Sequence, residues 1–339
     1  MRKFLVGVVA LVVVVAVGAG VGLATRYRAP SSPTTTTTST PTIAIAPLTG
    51  LPDPSGLSLT RPALTVKIEN TPEALPQWGV ESADVVYEEI VNGGITRLAA
   101  IFNSHAPTKI GPVRSVRPTD TQVVWPLGGI FAFSGGAAYA IDSILTAPVK
   151  LVEESTAGTA MYRDLTRVAP HNLYAVGPSL FAFGGTPTPP PALFQYRHHG
   201  ITLGVRPRAV SQFAVPFPSI YSVTWTWNPT SLSWDRTLFG QPDVTGTGVR
   251  ESPKNVIVMY VNYVNGIGTM ASYANLQGSG TADVFTNGEE ITGTWSRGPS
   301  KSDVVTYRDA KGQPILLSPG QTWVELLNTG VSLPITTAK

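Results

Sequence analysis

Residues 4–25, FLVGVVALVVVVAVGAGVGLAT, contain no charged side chain and are flanked by Arg2 and Lys3 before and by Arg26 and Arg28 after. A run of this length and polarity suits a helix crossing a bilayer core, which takes about 20 residues. Any water-facing fold must therefore be built from the residues C-terminal to it. The rival reading is a cleaved secretory signal, with Gly22 and Ala24 as small residues ahead of Thr25. The run exceeds the usual signal core of about 7–15 residues, which favours an uncleaved anchor. Both readings put the folded part outside the cytoplasm, either tethered to the cell membrane by a single N-terminal pass or secreted after cleavage.

The anchor segment, residues 1–28, holds four of the 24 Lys and Arg residues and no acidic one, which leaves 20 basic against 21 acidic residues beyond it. The basic balance thus belongs to the anchor. A folded part without basic excess argues against nucleic acid as a partner, since sequence-independent binding rests on neutralising many phosphates. The chain has no cysteine, which excludes disulfides, zinc-thiolate sites, a cysteine nucleophile and a lipid-modified N-terminal cysteine. Residues 29–46 are rich in Thr, Pro and Ser. They bury too little apolar surface to offset their conformational entropy and read as an extended tether.

Beyond the tether, PALTVKIEN has the β-branched content of a strand, and ADVVYEEIVNGGITRLAAIFNS reads as a hairpin around Asn92-Gly93-Gly94. A three-residue loop sets Arg97 opposite Glu89, whereas a Gly93-Gly94 loop sets it diagonal to Glu88. TDTQVVWPLGG predicts a short helix capped by Thr119 or Asp120, IFAFSGG a buried strand, and AAYAIDSILTA a helix. Prolines and glycines around GGTPTPPPALFQYRHHG interrupt regular structure, and nearly every later signal is a short strand. The expected fold class is α+β: a mixed α/β N-terminal domain (47–186), a linker (187–215), and a mainly antiparallel β C-terminal domain (216–339).

The chain carries no Gly-x-Ser-x-Gly elbow, no phosphate-binding Gly-x4-Gly-Lys-Ser/Thr loop and no His-Glu-x-x-His. His198 and His199 lack a third ligand at metal spacing, so neither a metal nor any other cofactor is expected. Trp225 and Trp227 share one face of a strand, where core packing is preferred over sugar stacking. Polar groups gather in two places. GPVRSVRPTD supplies Arg114, Ser115, Arg117 and Asp120; YRDLTRVAPHNLYA supplies Arg163, Asp164, His171 and Asn172. Arginine forks suit carboxylate and phosphate, so a cluster facing a cleft reads as an anion clamp. The same groups also fit a brace that pins loops to buried carboxylates.

PLTGLP, RPALTVKIEN, ADVVYEEIVNGGITRLAAIFNS, KIGPVRSVRPTD and PHNLYA, and beyond them NVIVMYV, GTWSR and LLSPGQTWVELL, resemble the YerB-like lipoproteins. That family is defined by a domain of unknown function (3048) with a C-terminal companion domain. The resemblance covers nearly all of the chain beyond the tether. It singles out Glu88, Gly93, Gly94, Thr96, Arg97, Gly111, Pro112, Arg114, Ser115, Arg117, His171 and Asn172, and implies membrane attachment without supplying an activity. The chain departs from the family pattern at Asn92, where an acidic residue is frequent, and in having no lipid-anchoring cysteine.

Two functions are therefore expected. The first is binding of an anionic or polyhydroxy cell-envelope ligand through Glu88, Thr96, Arg97, Arg114, Ser115, Arg117, Arg163, His171 and Asn172, an envelope polymer or envelope protein being the partner. The alternative is an envelope glycan hydrolase or transferase, with Glu88 and Asp120 or Asp164 as a carboxylate pair and His171 assisting. A carboxylate pair about 5–10 Å apart in an open cleft would favour the second; carboxylates each capped by arginine would favour binding or plain structure.

Overall fold

The computed structural model describes residues 43–184, 188–197, 207–218 and 220–338. The expected anchor, most of the tether, His198 and His199, and part of the expected linker lie outside the described residues. Among the described residues no helix is long and apolar enough to cross a membrane, a statement that does not reach residues 4–25.

PALTVKIEN forms β1 (Leu64–Glu69), and the expected hairpin forms β2 (Val85–Ile90) and β3 (Thr96–Phe102). All three strands are buried along their whole length, charged residues included. The hairpin register pairs Glu89 with Arg97 and Ile90 with Thr96, and the Val91 N–H donates to the Ile95 carbonyl at 2.8 Å. This is the three-residue loop of the two registers open from sequence. Gly93 and Gly94 take φ of 79° and 73°, which glycine adopts without a Cβ clash.

Helix α1 (Pro118–Val124) is capped two or three residues earlier than expected: Arg117 is the extended N-cap residue, Pro118 occupies the first helical turn, and Thr119 and Asp120 lie inside. Proline's fixed φ suits that position, and the Asp120 carboxylate reaches back to accept the Arg117 N–H at 2.7 Å. Next along the chain come β4 (Ile130–Phe133), α2 (Ala138–Ile144) and β5 (Lys150–Glu153).

The C-terminal half supplies β6 (Arg208–Val215), β7 (Val223–Asn228), β8 (Ser233–Leu238), β9 (Asn255–Val261), β10 (Gly278–Thr286), β11 (Glu289–Arg297) and β12 (Thr322–Asn328). Strand β6 lies wholly inside the segment expected to be linker. A register shift between Val210 and Gln212 breaks its alternation, so that Val210, Phe213 and Val215 all face inward while the sequence shows no clean period of two. At the β10–β11 turn Asn287 and Gly288 have φ of 55° and 74°, as a two-residue hairpin of matching twist requires. Trp225 and Trp234 are fully buried and Trp227 partly so, as core packing predicts.

Fifteen described strands join in one mixed sheet. Its main path runs β8-β7-β6-β11-β10-β9-β12-β2-β3-β1-β4-β5, with Gln241–Pro242 outside β8 and two short strands attached to β11 and β6. Strand β12 is the joint: it runs parallel to β9 on one side and to β2 on the other. Residues 42–339 form one compact unit. The result is a mostly β fold. The helices α1, α2 and Gly177–Phe181 are short, so the N-terminal half is less helical than the mixed α/β domain expected from sequence.

Candidate functional site

Side chains alternate along a strand, so the neighbours Glu88 and Glu89 of β2 leave the sheet on opposite faces. Each enters a separate buried group of charges.

On the first face, Lys67 is fully buried and its Nζ contacts both Glu89 and, at 2.7 Å, Asp120. Arg97 stands between Glu89 on β2 and Glu69 on β1, its cross-strand partners. The segment 111–116 fills the gap where β1 and β4 part. The Glu69 N–H donates to Pro112 O, Arg114 N–H to Lys67 O, and Val116 N–H to Gly135 O. Gly111 has φ of 141°, and a Cβ there would stand 2.8 Å from Leu173 O, so only glycine lets this segment lie so close to the 173–175 strand. The segment carries Arg114 to 3.1 Å from Glu69, whose other oxygen lies 3.0 Å from His171 Nδ1. Arg97 donates to Ser115 O at 3.0 Å; Arg117 donates to Val116 O at 2.9 Å and to Asn92 Oδ1 at 2.8 Å.

Four cations thus meet three carboxylates. Burial, then the Arg117 and Arg114 charges, pull the Arg97 guanidinium below its ordinary value. Burial also pushes Asp120 up to about 6; Lys67 opposes the rise and Glu89 adds to it. The Nε atoms of Arg97, Arg114 and Arg117 are buried with no hydrogen-bond partner among the described residues. For Arg114 the 3.1 Å approach to Glu69 is an ion contact not aligned as a hydrogen bond. The group reaches solvent at the Arg114 and His171 side chains, 20% and 23% exposed.

On the second face, Glu88 accepts from Arg236 Nη2 at 2.7 Å and from Asn70 Nδ2 at 2.9 Å, and Asn70 also donates to Thr96 Oγ1 at 2.8 Å. Arg236 contacts Asp243 through Nη1 and lies 4.6 Å from the Trp323 ring centre. Burial opposes its charge, but Glu88, Asp243 and Glu325 outweigh that and raise its pKa. Glu325 lies in register with Glu88 on β12 and accepts from Trp225 Nε1 at 2.9 Å. Burial, then the Glu88 charge, push it well above the carboxylate range.

The structure therefore brings Arg97, Arg114, Ser115, Arg117 and His171 together and places Asp120 behind them. Glu88 and Thr96 belong to the other face. Arg163 and Asn172 bond each other at 2.8 Å beside the Arg163–Glu154 ion pair, a separate group nearer the surface. Glu88 and Asp120 share no cleft, each being held by its own cation. Asp164 is bonded to Thr166 and Lys109, donors that lower it to about 2. Among the described residues no group of three or more His, Cys, Asp or Glu is placed to hold a metal. The sequence reading missed Lys67, Glu69, Arg236, Asp243 and Glu325. For the first two a signal existed: Lys67 and Glu69 alternate with Val66 and Ile68 in a strand, and so share a face.

The family model described as "Protein of unknown function (DUF3048) N-terminal domain" matches residues 48–184, and the model for the C-terminal domain of that family matches 213–324. The protein described as "Putative lipoprotein YerB" of Bacillus subtilis (strain 168) is 47% identical over 72 residues, which is 21% of this chain and 22% of that protein's length. The crystal structure of YerB protein from Bacillus subtilis superposes with a TM-score of 0.76 over 86% of this chain and 99% of that one. At 21% identity that likeness concerns the fold. With both of the family's domains matched in order along one chain, this protein belongs to the DUF3048 family.

Proposed function

We propose that this is an exported, membrane-tethered protein that binds an anionic ligand of the cell envelope where Arg97, Arg114 and Arg117 converge. The tether reading rests on the apolar run 4–25 and on the lipoprotein description of the Bacillus subtilis relative. One observation carries the binding reading: Arg97 and Arg117 donate only to neutral oxygens, those of Ser115, Val116 and Asn92, among the described residues. Guanidiniums packed together with fewer carboxylates than cations are stabilised by an added anion, and arginine's fork matches phosphate or carboxylate. The group reaches solvent at Arg114 and His171, whose side chains are partly exposed. In this reading Arg114, Arg117 and His171 meet the ligand, and Arg97 supports them from behind.

The test is isothermal titration of the full chain with inorganic phosphate, glycerol phosphate and the neutral N-acetylglucosamine. The expected result is binding of the two phosphates, weakened tenfold or more in the Arg114→Ala plus Arg117→Ala variant at little change in melting temperature. Equal binding by parent and variant, or a variant that unfolds while the parent binds nothing, identifies the arginines as a brace. Binding of the neutral sugar alone transfers the reading to a polyhydroxy ligand.

A further inference from the structure

Away from the arginine group, the strand end at Ser233, the segment 249–254 and the turn Val80–Ser82 border a cavity of about 280 Å³. Its lining includes Glu81, Ser233, Arg250, Glu251, Ser252 and Lys254. Glu251 is 1% exposed, and neither carboxylate oxygen has a hydrogen-bond partner among the described residues. Glu81 accepts from Thr247 Oγ1 at 2.8 Å through one oxygen, and its other oxygen is likewise buried without a partner.

The cations nearby bond neither Glu251 nor Glu81. Arg250 donates to Arg236 O at 3.0 Å and to Thr237 Oγ1 at 3.2 Å, Lys254 to Ser231 O at 2.6 Å, and Arg236 to Glu88 and Asp243. A buried carboxyl left without donors is costly, and folded proteins rarely retain one without a reason. An acceptor pair at the wall of a cavity is completed by a ligand that brings N–H donors.

We propose that this cavity binds a small zwitterion of amino-acid size, its ammonium donating to Glu251 and Glu81 and its carboxylate turned toward Arg250 and Lys254. Two carboxylates and the Ser233 and Ser252 hydroxyls give an ammonium acceptors for its three N–H bonds. A metal is the poorer fit, since among the described residues no three His, Cys, Asp or Glu side chains converge. Burial, then Asp243 and Glu81, push Glu251 well above the carboxylate range, and Arg236 opposes. Arg250 and Lys254 are the other charges at this cavity. The ammonium requires ionised Glu251, so binding releases a proton from that carboxyl. The site is independent of the arginine group, and either stands if the other fails.

The experiment is differential scanning fluorimetry and calorimetric titration of the full chain with glycine, alanine and lysine, with methylammonium, acetate and calcium chloride as comparators. Amino acids are expected to raise the melting temperature, and titrations in buffers of different ionisation enthalpy to report proton release. Glu251→Gln is expected to melt no earlier than the parent when unliganded, because it removes a buried unpaired carboxyl, and to bind at least tenfold more weakly. Glu81→Gln, at the more open wall, serves the same purpose if Glu251→Gln fails to fold. No shift with any amino acid overturns the proposal, as does stabilisation by calcium alone or unaltered affinity in the Gln variants.

Discussion

On the first face of the sheet Lys67, Arg97, Arg114 and Arg117 outnumber Glu69, Glu89 and Asp120, and the group opens to solvent at Arg114 and His171. On the second, Arg236 stands alone among Glu88, Asp243 and Glu325, all buried. An unbalanced charge in a low-dielectric interior is costly, and the two faces lessen theirs by different routes. The closed face lessens its excess of negative charge by favouring the protonated form of Glu325, whose pKa burial and Glu88 raise. The open face has an excess of cations, which a solvent anion can neutralise. A closed group of this kind holds β2, β8 and β12 together. In the function proposed above, an open one with spare donors is where the ligand takes part.

The comparison breaks most sharply at Arg236. Replacing it with Met leaves Glu88 and Asp243 without their shared cation in a site 0% exposed. Removing one partner of a buried pair costs about 3–5 kcal/mol. Urea unfolding of Arg236→Met should show a loss of that size, part of it recovered by adding Glu88→Gln, which removes the stranded charge. A loss under about 1 kcal/mol would put Arg236 in the class of surface pairs and erase the contrast between the faces.

Next in size is the pH response of Asp120. Its folded pKa of about 6 stands above the ordinary aspartate value of 3.8, so the folded state binds its proton more tightly than the unfolded state. The stability this confers is fully present below about pH 4 and is lost as pH rises through the folded value. A shift of about two units corresponds to something on the order of 3 kcal/mol. Asp120→Asn should remove that decline, so the difference between parent and variant in unfolding free energy changes between about pH 4 and 6.5 and is flat above. A difference that is constant across this window would mean that Lys67 holds Asp120 ionised throughout.

Much of the first face was legible in the sequence, and almost none of the second. The hairpin ADVVYEEIVNGGITRL fixes Glu89 opposite Arg97 once its loop is read as three residues, and the charges of GPVRSVRPTD stand out in a chain with few. Local spacing carries such information. Glu88, by contrast, meets Arg236 across 148 positions, and the contact exists because β12 runs parallel to both β2 and β9 and brings the two halves into one sheet. Parallel pairing of distant strands leaves no turn signal between them, so the shared sheet was not visible in the sequence. The grouping of Glu88 with Asp120 failed for a simpler reason: successive residues of a strand face opposite ways, and the Lys67 contacts of Glu89 put Asp120 on the other side from Glu88.

The smallest effect concerns redundancy on the open face. Glu69 keeps His171 at 3.0 Å and Thr71 Oγ1 at 3.3 Å when Arg114 is removed, and Arg97 remains its cross-strand neighbour. Arg114→Ala should therefore cost no more than a partly exposed ion pair, about 0.2–1 kcal/mol. His171→Ala alone should cost a similar amount, because Arg114 then serves Glu69. The double variant strips both, leaving a 1% exposed carboxylate with one hydroxyl and its neighbour Arg97, and its loss should exceed the sum of the singles by about 0.5–3 kcal/mol, as sites sharing a partner do. A thermodynamic cycle from four urea curves measures that excess. Additive losses would mean that Glu69 draws on the two side chains independently, and the open face would then be no more redundant than the closed one.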